Sequence, residues 1–147
     1  GDGQQTRIVG QGGRMAAYEL VTGQRIWELN LAGISTPALA GERLFTLTSD
    51  ARLLAIARST GKVRWITQLR RYRDAKDRKG EIFWTGPVLA NNMLYVANSR
   101  GELWQVSVAE GSANMLTELK DSVSLPPIVV NNTLYVLDDG GTITAFR

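Results

Sequence analysis

Short runs in which apolar and polar residues alternate fill the chain from Arg7 to Arg147, cut at regular intervals by glycine, asparagine, aspartate or serine. Alternation with a period of two is the mark of a half-buried β-strand. Between residues 32 and 69 it predicts strands over 36–40, 43–47, 53–57 and 62–68, broken at Gly41-Glu42, Ser49-Asp50-Ala51 and Ser59-Thr60-Gly61. Links this short, made of residues that tolerate left-handed backbone, join antiparallel neighbours. Residues 82–119 repeat the arrangement, with strands over 85–90, 93–97, 102–108 and 113–118. Residues 1–31 give strands over 7–9, 15–19 and 24–29, and residues 120–147 give 127–130, 133–137 and 142–146, so fourteen strands are expected.

The units are copies of one another. Thr22-Gly23 and Thr60-Gly61 stand 38 residues apart, Pro87 and Pro127 stand 40 apart, and Trp27 and Trp65 each follow the glycine of a Thr-Gly turn by four positions. A four-stranded antiparallel unit repeating about every 40 residues is the blade of a β-propeller, so the fold class is all-β. Small residues open the units, as in Ser35-Thr36-Pro37-Ala38 and Thr85-Gly86-Pro87, where strands crowd a common axis. Thr22, Gly23, Trp27, Thr60, Gly61 and Trp65 are read as structural repeat residues, the tryptophans packing between blades. The third unit departs from the pattern, with Met115 in the tryptophan place and Glu110 in that of the threonine.

Composition narrows the chemistry. The chain has 147 residues, 44% hydrophobic and 21% charged, as in an ordered globular protein. Without cysteine or histidine it has no disulfide, no thiolate or imidazole metal ligand and no histidine-based triad. Its net charge of +3 gives nucleic-acid binding no support. No apolar run is long enough for a membrane helix, and Gly1-Asp2-Gly3-Gln4-Gln5 is not a secretion signal. The repeat is already under way at the first residues, so the chain reads as part of a longer protein. No catalytic, cofactor or metal residue is expected. Asp138-Asp139-Gly140-Gly141 lacks the spaced oxygen ligands of a calcium loop and reads as a hairpin turn. Asn131-Asn132-Thr133 is a sequon that a tight turn explains.

The stretch Ala17-Tyr18-Glu19-Leu20-Val21-Thr22-Gly23-Gln24-Arg25-Ile26-Trp27 and its counterpart from Ala55 to Trp65 resemble the repeat of pyrroloquinoline-quinone-type propellers, although Ala57 and Ser107 replace the acid that Glu19 supplies. Within that superfamily, Trp84-Thr85-Gly86-Pro87-Val88-Leu89-Ala90 and the run from Val123 to Arg147 resemble the C-terminal blades of the BamB family, propeller lipoproteins of the outer-membrane β-barrel assembly machinery. The resemblance implies part of an eight-bladed propeller, a periplasmic location at the outer membrane and a lipid anchor on a cysteine upstream. It implies a non-catalytic scaffold whose partners are BamA-like periplasmic domains and unfolded outer-membrane proteins. The family's contact loops lie in earlier blades, so none of its contact residues is carried over. A quinone-dependent dehydrogenase built on the same repeat is the alternative, and it would need a calcium ion beside the quinone and an aspartate base.

One insertion breaks the period. Pro37 and Pro87 are 50 residues apart, and the surplus falls in a basic inter-blade loop over 70–81, whose first eleven residues carry six basic and two acidic side chains. Strand alternation places this loop on the same face as the turns at Ser49-Asp50-Ala51, Ser99-Arg100-Gly101 and Asp138-Asp139-Gly140-Gly141. Loops that interrupt a repeat are common binding elements. Arg70, Arg71, Tyr72, Arg73 and Arg100 are therefore the candidate partner-binding residues, for an acidic or extended partner. With three strands in its first and last units the chain also presents unpaired strand edges, so self-association is expected.

Overall fold

The computed structural model describes residues 6–11, 13–31 and 33–147, so the opening Gly1-Asp2-Gly3-Gln4-Gln5 lies outside the described residues. Every regular element among the described residues is a strand, and all strand pairs are antiparallel. The first sheet holds β1 (Thr6–Gln11), β2 (Arg14–Glu19) and β3 (Arg25–Asn30). The second holds β4 (Ala38–Ala40), β5 (Arg43–Leu47), β6 (Arg52–Ala57) and β7 (Val63–Gln68). After β8 (Tyr72–Asp74) and β9 (Lys79–Glu81), the next four-stranded sheet holds β10 (Trp84–Ala90), β11 (Met93–Asn98), β12 (Glu102–Ser107) and β13 (Ala113–Glu118). The last sheet holds β14 (Ile128–Val130), β15 (Thr133–Leu137) and β16 (Ile143–Phe146).

Each sheet is a meander of consecutive strands, and the sheets lean face to face as propeller blades. Alternation decides which side chains meet. From the first sheet Met15, Ala17 and Trp27 pack on Leu44, Leu54 and Ile56 of the second. Phe45, Leu53 and Ala55, on the second sheet's other face, pack on Leu94, Val96 and Val106. Ala97 and Leu103 then pack on Leu134 and Val136 of the last sheet. The unit openings converge as small residues at a hub require: Ser35, Thr36, Pro37, Thr85, Gly86, Pro87 and Pro126 line one cavity of about 350 Å³.

The turns between third and fourth strands interlock neighbouring sheets. The Gly61 N–H donates to the Ala57 carbonyl at 2.8 Å, and the Gly111 N–H donates to that of Ser107 at 2.9 Å, closing the same turn twice. Under the first lies Trp27, 8% exposed, whose indole N–H donates to the Arg58 carbonyl at 2.6 Å. Under the second lies Trp65, whose indole N–H donates to the Val108 carbonyl at 2.9 Å. The ring faces leave no room for a side chain above them. A Cβ on Gly61 would stand 2.8 Å from the Trp27 ring, and one on Gly111 would stand 2.6 Å from that of Trp65. Gly23, in the first sheet's equivalent turn, has nothing within 4 Å of such a Cβ.

At the opposite end, three buried polar residues close the turns between second and third strands. The Thr48 hydroxyl accepts the Arg52 N–H, the Asn98 side-chain oxygen accepts those of Arg100 and Glu102, and the Asp138 carboxylate accepts those of Gly140 and Thr142. The Asp138 carboxylate thus serves its own turn. Asn131 and Asn132 both have positive φ, +50° and +61°, as a two-residue hairpin turn demands.

The basic segment departs from expectation. Instead of a loop, it contains a two-stranded hairpin, with Tyr72 paired to Glu81 and Asp74 to Lys79, so sixteen strands are present among the described residues instead of fourteen. Its turn is local chemistry: the Asp74 carboxylate accepts the Asp77 N–H, while Arg78 and Gly80 take positive φ of 52° and 70°. No apolar alternation marks these strands, because both faces of the hairpin stand largely in solvent.

Candidate functional site

The hairpin is anchored at its base. Leu69 and Ile82, 5% and 3% exposed, bury the two ends of the insertion, and the Ile82 N–H donates to the Arg71 carbonyl at 2.8 Å. The Trp84 indole N–H donates to the Arg70 carbonyl at 2.8 Å. Arg70 is exposed but folds back along the hairpin and binds it, its guanidinium donating to the Tyr72 carbonyl at 3.0 Å and that of Arg73 at 2.6 Å. The Arg71 guanidinium lies 5.3 Å from the centre of the Tyr72 ring, a cation-π pair. Of the five candidate residues, Arg70, Arg71 and Tyr72 therefore act as one structural group. Arg73 and Arg100 meet elsewhere, on the walls of a cleft of about 530 Å³.

This cleft lies between the hairpin, the Ser99-Arg100 turn and the link from β13 to the last sheet. Arg73 and Glu81 line it from the hairpin, Glu118 from the end of β13, and Lys120 and Asp121 from the link. Phe83 belongs to it too, 65% exposed. Its backbone is clamped, the Phe83 N–H donating to the Ser99 hydroxyl at 3.0 Å and the Ser99 N–H donating to the Phe83 carbonyl at 2.9 Å. A large apolar ring is thus held in water on a fixed main chain. The cleft balances positive and negative charge, so the excess of positive charge lies on the hairpin and not in the cleft.

Sequence reasoning found Arg73 and Arg100 but missed Phe83 and the acidic wall. A signal for Phe83 was present: in Ile82-Phe83-Trp84, three consecutive large apolar residues cannot all face inward on extended backbone. Beside the cleft, the Asp139 carboxylate accepts hydrogen bonds from the hydroxyls of Ser122 and Ser124, tying the link to the last sheet. Those two bonds hold its pKa below the ordinary value of 3.8.

The family profile described as outer membrane protein assembly factor BamB matches residues 2–67. The BamB of Legionella pneumophila is 29% identical over 138 residues, covering 88% of this chain and 34% of that protein. The BamB of Marinobacter adhaerens is 23% identical over 142 residues, covering 95% of this chain and 34% of that protein. The chain spans about a third of the length of these curated relatives. In three dimensions it superposes on the crystal structure of BamB from Moraxella catarrhalis with a TM-score of 0.76 at 19% identity, covering 92% of this chain and 38% of that one. With this sequence similarity along nearly its whole length, and with propeller blades that superpose on a solved BamB, the chain is a BamB-like stretch of β-propeller.

Proposed function

We propose that this chain is part of a non-catalytic scaffold subunit of the outer-membrane protein assembly complex, held at the periplasmic face of the outer membrane by a lipid on the longer protein. Its partners on this reading are BamA-like periplasmic domains and unfolded outer-membrane proteins, met through the loop face that carries Arg70, Arg71, Tyr72, Arg73 and Arg100. The observation that carries the reading is the similarity to proteins named as assembly factors over about nine-tenths of the chain. The shape supports it: sheets interlocked by Trp27 and Trp65 form a stiff support, from which one anchored hairpin projects into solvent. The quinone-dependent dehydrogenase alternative draws no support from these relatives.

The test is charge reversal of Arg71 and Arg73, alone and with Arg70, in the full-length protein, with affinity for the purified BamA-like domains as the readout. A loss of about tenfold or more is expected for the pair. Unchanged affinity in all variants removes the loop face from the interface. Self-association belongs to the same proposal and rests on the last sheet, whose outward face exposes Ile128, Val130, Tyr135, Leu137 and Ile143.

A further inference from the structure

Six charged side chains line the cleft beneath the hairpin, Arg73, Arg100 and Lys120 against Glu81, Glu118 and Asp121. Among the described residues none of the six forms an ion pair, although opposite charges share the same walls. Charges so placed are free to pair with a ligand without first breaking bonds within the protein. Phe83 adds an apolar platform whose backbone is fixed at both polar groups, so little ordering is required of it on binding.

From this juxtaposition we infer that the cleft is a docking site for an extended polypeptide segment of mixed charge that carries an aromatic residue to stack on Phe83. The inference rests on the reading of the loop face as a protein-binding surface and names the class of segment it takes. The charge balance selects the ligand. A uniformly acidic segment would be attracted by Arg73, Arg100 and Lys120 but repelled by Glu81, Glu118 and Asp121, and a uniformly basic one meets the converse. A segment with both signs satisfies both walls, and exposed aromatic rings are frequent anchors of such contacts. The cleft is walled entirely by residues 73–122, so its shape is set within this segment of the chain.

The test uses the full-length protein and three short fluorescent peptides: a central tyrosine flanked by lysines and glutamates, and the same peptide with only lysines or only glutamates. The mixed peptide is expected to bind about tenfold more tightly than either uniform one, and Phe83→Ala to lower its affinity about tenfold while Phe83→Tyr restores it. Because Phe83 is exposed, its replacement is expected to leave the melting temperature nearly unchanged, which a thermal melt checks. Equal affinity of the three peptides, no binding of any, or indifference to Phe83→Ala overturns the inference. The same variants are titrated with the BamA-like domains. Binding of those domains that survives charge reversal of Arg71 and Arg73 removes the loop face from the interface, whatever the peptides do; peptide indifference with normal loss in that reversal defeats the cleft alone.

Discussion

Gly61 and Gly111 are required twice over: their φ angles, +75° and +79°, lie in the left-handed region, and a tryptophan ring fills the space where a Cβ would stand. Gly23 has the same backbone, φ +72°, with open space above it. Comparing the three positions separates backbone strain from lost packing. Gly23→Ala is expected to cost about 1 kcal/mol, the penalty of the left-handed conformation alone. Gly61→Ala and Gly111→Ala are expected to cost about 2–4 kcal/mol, because the ring beneath must also move. Urea unfolding of the three variants gives the comparison, and equal costs would mean that the rings adjust freely. Asp139 supplies a second measurement at this scale. Its carboxyl is held below 3.8 by the Ser122 and Ser124 hydroxyls, so the charged form is favoured in the folded protein. The tie is complete above the unfolded value and is lost as pH falls through the lower folded one. An NMR titration should place the Asp139 midpoint below 3.8 and return it towards that value in a Ser122→Ala, Ser124→Ala double variant.

At the scale of elements, the β8–β9 hairpin is attached to the sheets but carries none of their core. Leu69 and Ile82 bury its ends, while Tyr72 is its only residue between 72 and 81 that is not exposed. Replacing residues 72–81 by a short glycine-serine linker should therefore change unfolding free energy by less than about 1 kcal/mol. Affinity for BamA-like domains should fall at least as far as in the charge reversals, as titration of that variant would show. The strands were legible in the sequence where one face is buried: from Met15 to Val136, apolar side chains recur wherever a sheet meets a sheet. The hairpin was not, because Tyr72, Arg73 and Asp74 carry no such alternation, and its pairing depends on Asp74, Gly80 and the Arg70 guanidinium instead. The site was legible only in part for a related reason. The period located the insertion and hence Arg73, but Glu118, Lys120 and Asp121 come from the end of β13 and the link after it, more than forty residues away, which only the folded sheets bring alongside.

The whole molecule is a row of sheets in which each one is held by its neighbours. The second sheet is covered on both faces, by Met15, Ala17 and Trp27 on one side and by Leu94, Val96 and Val106 on the other. Among the described residues, the last sheet is covered on one face only. Ile128 and Tyr135 are cross-strand partners there, as are Leu137 and Ile143, and with Val130 they form a side that is 37–67% exposed. Side chains of this kind line the contacts between all the preceding sheets, so the face has the chemistry of a blade interface without a blade on it. An exposed apolar surface of this kind favours association. Light scattering of the 147-residue chain should report a mass above that of the 16.1 kDa monomer and rising with concentration. Tyr135→Lys with Leu137→Lys should return it to the monomer, since two charges directly on the face oppose its burial, while Leu134 and Val136 on the covered side keep the sheet in place. A monomer at every concentration in the unaltered chain would remove self-association from the proposal and leave the loop face untouched, because the two surfaces share no residue.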